Sequence, residues 1–147
     1  MTISNSHQSG NARRNCSGYS NRAGGAAELQ PGVLCVNYLE GRNRNILYRS
    51  RVVDYGRYFD FIFNYINLGG YWEIDIVRLP NYRGRSTSAH IIHTLPSSRG
   101  GRKICVASGH EPRSEREAKK LSMSWADLQA EYIKTGKTPD NQIRDNH

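Results

Sequence analysis

Ser114-Glu115-Arg116-Glu117-Ala118 opens the most legible stretch of this chain, and its reading decides the fold. A serine followed three residues later by glutamate is a capping box: the hydroxyl takes an orphan helix amide and the carboxylate reaches back to the cap amide. Ala118, Leu121, Trp125, Leu128 and Tyr132 follow at spacings of three and four, one apolar stripe over about four turns. Lys134 suits the negative end of a helix dipole, Gly136 can close the helix, and Pro139 cannot extend it. A long amphipathic helix over this region needs a surface to cover, and Trp125 is expected to sit on it as core.

The residues upstream supply that surface. Tyr71 to Leu79 alternates, with Trp72, Ile74 and Ile76 on one face and Glu73 and Asp75 on the other. Thr87–Leu95 and Lys103–Ala107 are read as two further strands, separated by turn-rich loops at 80–85 and 96–101. Tyr58 to Leu68 fits a helical face through Tyr58, Phe61, Ile62, Tyr65 and Ile66, and strict alternation through Phe59, Phe61, Phe63 and Tyr65. Its aromatic and β-branched content favours strand. Val33–Val36 and Ile46–Val53 are shorter strand candidates. The expectation is an α+β domain: an antiparallel sheet of three to five strands with one long C-terminal amphipathic helix packed on one face.

Three regions are expected from composition. Residues 1–30 are rich in Ser, Asn, Gly and Arg and read as a disordered basic arm. Residues 31–136 form the single domain, and 137–147 a polar, flexible tail. The apolar share of 37% fits a chain of 147 residues that is not ordered throughout. No run of about 18 apolar residues suggests a membrane span, and Met1–Gly18 has no signal-peptide core, so a cytoplasmic (or nuclear) location is expected. Cys16, Cys35 and Cys105 are far apart and odd in number, which reads as reduced thiols rather than a disulfide framework or a zinc site. No cofactor is expected.

The charge is the functional clue. The formal net charge is +8, carried by 16 Arg and 5 Lys. The arm holds +2 of it and the tail none, so the domain itself is basic. Arginine presents a planar fork suited to phosphate and carboxylate. With three consecutive antiparallel strands before the helix, the first hairpin loop and the helix start share one end of the sheet. That places Arg83 and Arg85 beside Arg113, Arg116, Lys119 and Lys120. A second cluster, Arg42, Arg44, Arg49, Arg51 and Arg57, interleaves with Tyr48, Tyr55 and Tyr58, a composition that suits stacking on unpaired bases.

Ser114, Arg116, Ala118 and Lys119 resemble the Ser-Lys-Lys-x-Ala-Lys opening of the second helix of double-stranded-RNA-binding domains. The resemblance implies an RNA grip by that helix start and by the first hairpin loop, where Arg83 and Arg85 stand. Glu115 and Leu121-Ser122 depart from that pattern. The capping box after three strands is also similar to plant-type AP2 domains and HicB-type antitoxins.

The chain is therefore read as a small basic nucleic-acid-binding module, for RNA or structured DNA, acting through an Arg-rich loop and helix N-terminus at Arg83, Arg85, Arg113, Arg116 and Lys119, with Arg49, Arg51 and Tyr48 as a second surface. The alternative is a regulator, inhibitor or antitoxin that docks an acidic protein surface through the same arginines. Catalysis is not expected. Glu73 and Asp75 could hold Mg²⁺, but no third carboxylate is placed beside them. His90 and His93, three apart on a strand, would face opposite ways and could not share a metal.

Overall fold

The structure is a computed structural model that describes residues 13–14, 29–35 and 45–146. Aromatic alternation decides 58–68 in favour of strand: β4 runs Asp60–Asn67 and turns through Leu68–Tyr71 into β5, Trp72–Arg78. On the other side of β4 lies β3, Ile46–Arg49, then β2, Leu34–Cys35. The two-residue β1, Arg13–Arg14, pairs parallel with β2. It falls within the expected N-terminal arm, most of which lies outside the described residues. The sheet order is β1-β2-β3-β4-β5-β7-β6, with β6 at Thr94–Pro96 and β7 at Arg102–Ile104. Six strands are antiparallel to their neighbours, slightly more than the three to five expected.

The connection between β5 and β6 departs from expectation. Residues 87–95 do not form a strand beside β5. They hold a short helix, α1 (Ala89–Ile92), and His93 in a left-handed conformation (φ 59°) that turns the chain into β6. Apolar periodicity could not foresee this, because Ile91-Ile92 fits either state. The helix-facing partners decide it. The Ile92 carbonyl accepts from Trp125 Nε1 at 2.9 Å and from Gln129 Nε2 at 3.0 Å. Tyr82 OH donates to Gln129 Oε1 at 2.7 Å, and Tyr132 OH donates to the Ser86 carbonyl. Residues 79–93 thus cross back along the helix, so β6 runs in the direction of β5 and β7 fills the space between them.

The long helix α2 spans Glu115–Thr135. Ser114 Oγ accepts from the Glu117 amide at 3.1 Å, as the capping box requires. Glu117 itself reaches one residue further than expected, accepting from the Arg113 amide at 2.6 Å. At the other end Gly136 adopts φ 83° and returns its amide to Tyr132. The buried face runs through Ala118, Ser122, Trp125, Ala126, Gln129, Tyr132 and Ile133, with Leu121 and Leu128 only partly covered. Trp125 is fully buried and meets Phe61 and Phe63 edge-on at 5.9 and 6.1 Å, a favoured geometry for aromatic quadrupoles. Leu29, Cys35, Leu47 and Ile62 make a smaller cluster on the opposite side of the sheet.

Two expectations are corrected here. The tail is not a loose end: Pro139–Asp145 forms a second helix, α3, with Thr138 as its cap. Buried Gln142 ties α3 to the Leu128 and Lys137 carbonyls, and a polar composition hides such docking because side-chain amides rather than apolar bulk make it. Cys35 is disulfide-bonded, against the expectation of a reduced thiol, whereas Cys105 is free.

Truncation of the core aromatic, Trp125→Ala, should cost about 3–5 kcal/mol, read as a lowered denaturation midpoint. The buried hydroxyls of Tyr48, Tyr65 and Tyr82 are pushed well above the ordinary value of 10.0, in each case chiefly by burial. The folded state therefore holds protons that the unfolded chain releases first. That stabilisation is complete below about pH 10 and lost as pH rises beyond it. Alkaline unfolding should coincide with a cooperative jump in tyrosinate absorbance; gradual titration without unfolding would contradict these burial assignments.

Candidate functional site

The crossover redistributes the predicted basic residues. Because β7 runs back towards the start of β5, α2 begins at the Trp72 end of the sheet, where the Trp72 amide donates to the Pro112 carbonyl. Arg113 and Arg116 are exposed there. Lys119 is only 4% exposed and is paired with Glu115 at 2.6 Å, so it presents no cation to solvent. Arg83 and Arg85 lie at the other end. Arg85 Nε donates to the Ile133 carbonyl at 3.3 Å, and its guanidinium packs so closely on Gly136 that a Cβ there would meet Nη1 at 2.9 Å. This cation serves the negative end of the α2 dipole. The expected union of Arg83 and Arg85 with the helix start does not form, and with it goes the RNA grip that the double-stranded-RNA-binding resemblance implied.

A different union forms instead. The β3–β4 connection and the start of the crossover meet at the Arg78 end of the sheet. Arg83, itself left-handed at φ 53°, pairs with Asp54 and lies 5.1 Å over the Phe59 ring. Arg49 grips both oxygens of Asp60 at 2.8 and 2.9 Å, donates to the Leu29 carbonyl, and sits 4.4 Å over Tyr58. The two aspartates of this region are thereby engaged. Arg51 and Arg57 are exposed and enter no ion pair among the described residues. Arg42 and Arg44 of the same predicted cluster lie outside the described residues.

Tyr48 does not stack on anything from solvent. It is fully buried, and its hydroxyl donates to Asp127 Oδ1 at 2.9 Å. The same oxygen accepts from Ser50 Oγ at 2.8 Å and from the Arg51 amide at 3.2 Å. Asp127 thus anchors the root of the loop to α2.

The tip of that loop is a tight turn. Asp54 and Arg57 exchange backbone hydrogen bonds at 3.0 and 2.9 Å around Tyr55-Gly56, both at positive φ (51° and 73°). Two left-handed residues between paired neighbours are the type I′ arrangement, which favours Asn-Gly or Asp-Gly. A tyrosine in the first of these positions is disfavoured by about 1 kcal/mol or more. Tyr55 is nonetheless there, 98% exposed, with Tyr58 at 44% beside it. Sequence reasoning grouped Tyr55 with Tyr48 and Tyr58 by spacing. The signal that separates it is the Tyr-Gly dipeptide between two hydrogen-bonding neighbours.

The carboxylates weighed as a metal site are otherwise employed. Arg99 contacts Asp75 Oδ2 at 2.6 Å, Asp75 Oδ1 at 2.9 Å and Glu73 Oε1 at 2.7 Å. Lys103 takes Glu73 Oε2 at 2.5 Å, and Ser97 donates to Asp75 Oδ1 at 2.9 Å. All four oxygens have partners. The bonds from Lys103 and Arg99 hold the Glu73 carboxyl below its ordinary range. His93 pairs with Asp140 at 2.6 Å, joining α3 to the turn after α1. Among the described residues no group of three or more His, Cys, Asp or Glu is placed to hold a metal ion, and no helix is long and apolar enough to cross a membrane.

Comparison with protein-family models, curated proteins and solved structures finds no match to this chain.

The Glu73 network has an acid signature. A carboxyl whose folded pKa is depressed stabilises the fold above its unfolded pKa and loses that contribution as pH falls through the folded value. The melting-temperature gap between wild type and Glu73→Gln should be widest above about pH 5 and close progressively below about pH 4. A gap independent of pH would show that the pairing contributes nothing.

Proposed function

We propose that this protein binds RNA or DNA with unpaired bases through the 51–58 loop and the adjoining start of the crossover. The reading rests on Tyr55: an almost fully exposed aromatic ring, held at a turn position that disfavours it, between the unpaired cations Arg51 and Arg57. Backbone strain that the fold tolerates at an exposed residue points to a role outside stability. Bases stack on such rings with little regard to sequence, and nearby arginines hold phosphates. Arg83 and Tyr58 would flank the strand, while Arg49, Asp60 and Asp127 keep the platform rigid. The rival reading, an acidic protein surface docked on the same cations, would use Tyr55 as a packed interface anchor instead of a stacking platform.

Tyr55→Asn separates stability from binding, because asparagine suits the turn better than tyrosine. The variant should melt no lower than wild type. It should bind a labelled oligo(dT) or mixed single-stranded RNA about five- to a hundredfold more weakly, the loss of one stacked base. The slope of log K against log salt should be about −1 to −2, with Arg51 and Arg57 as the phosphate contacts, and should flatten in the double Arg51→Ala/Arg57→Ala variant. Undiminished binding by Tyr55→Asn would remove Tyr55 from the site. A wild type that binds neither oligonucleotide at low salt would leave the acidic-protein reading.

A further inference from the structure

At the end of the sheet away from Tyr55, β5 and β7 part. Their register covers only Asp75↔Lys103 and Ile76↔Arg102, and nearer Trp72 the place beside β5 is taken by Pro112. A cleft of about 500 Å³ lies there. Tyr71, Trp72 and Ile74 line it from β5 and the turn before it, and Leu95, Ile104 and Val106 from β6, β7 and the chain beyond. Tyr71 and Leu95 are each more than 40% exposed, so the cleft is open to solvent along apolar surface. A volume of this size suits a small organic ligand.

Four charged residues border the cleft, and they divide into two kinds. Glu73 and Lys103 neutralise one another at 2.5 Å. Glu111 and Arg113 do not. Glu111 accepts a hydrogen bond from the Gly109 amide and has no basic partner among the described residues. The Arg113 side chain has no acidic one, since its bond to Glu117 is made by the backbone amide. An unmatched anion and an unmatched cation, two residues apart in the non-helical stretch before α2, thus stand beside an aromatic and aliphatic cleft.

We propose that this cleft binds a small zwitterion of the α-amino-acid class with an apolar or aromatic side chain. Its carboxylate would pair with Arg113, its ammonium with Glu111, and its side chain would lie among Tyr71, Trp72, Leu95 and Val106. The site does not rest on the nucleic-acid reading, from which the length of the sheet separates it.

The test is a titration of the full chain with L-phenylalanine, 3-phenylpropanoate and 2-phenylethylamine, followed by calorimetry and tryptophan emission. The chain has two tryptophans, and Trp125 is fully buried, so an emission change reports Trp72. L-Phenylalanine should saturate one site with a Kd below about 1 mM. Each single-charge analogue should bind about tenfold more weakly or worse, because it lacks one charge-assisted contact. Arg113→Gln and Glu111→Gln should each show the same loss for L-phenylalanine with unchanged melting temperature, and Tyr55→Asn should show none. Absence of saturable heat overturns the proposal. So does a single-charge analogue that binds as tightly as L-phenylalanine, or binding undiminished in both charge variants.

Discussion

Two donors on α2 converge on one backbone carbonyl, that of Ile92, and the topology follows from this contact. Trp125 and Gln129 are both buried, and a buried indole N–H or amide without a partner costs more than an ordinary hydrogen bond returns. The chain after β5 supplies the acceptor by crossing along the helix instead of turning back as a hairpin. Gln129 is satisfied at its other end by Tyr82, and Tyr132 reaches Ser86, so the crossover is stitched along its length. With the segment held there, β6 can pair only with β7, and α2 must begin at the Trp72 end of the sheet. The two ends of the molecule acquire their different characters from that single routing.

Several of the basic side chains among the described residues are absorbed by the fold. Arg49, Arg83, Arg99, Lys103 and Lys119 each pair with a carboxylate, and Arg85 and Arg102 bond to backbone carbonyls. In several of these the guanidinium fork makes two or more bonds at once, which explains the preference for arginine over lysine without any ligand. A high isoelectric point is thus a weaker pointer to nucleic acid here than the charge count suggests. Among the described residues, the informative cations are Arg51 and Arg57 beside the strained Tyr55, and Arg113 beside Glu111 at the open cleft, none of which enters an ion pair.

The Asp127 carboxylate shows how rigidity is delivered to the exposed loop. One of its oxygens receives the Tyr48 hydroxyl, the Ser50 hydroxyl and the Arg51 backbone amide, at and just beyond the end of β3. Helix and strand are locked where the chain leaves the sheet. The tight turn at 54–57 then projects from a fixed base, and the positive φ of Tyr55 is tolerated because its neighbours are already held.

Local order was legible in the residues alone. Ser114 and Gly136 mark both ends of α2, the alternation around Trp72 marks β5, and the aromatic content of 58–68 marks β4, because capping chemistry and side-chain period act over a few residues. The tertiary structure decided what depends on distant partners. Ala89–Ile92 became helix because Ile92 is needed as an acceptor, and the polar tail became α3 because Gln142 finds a carbonyl on α2 and another just past it. Tyr48, Arg49 and Arg85 left the candidate surface for the same reason, a partner elsewhere in the sequence that bonds them, while Lys119 left it by burial and by pairing with Glu115 one helical turn away. Pattern assigns a residue to a face, but whether its charge or ring remains free depends on what the folded chain brings against it.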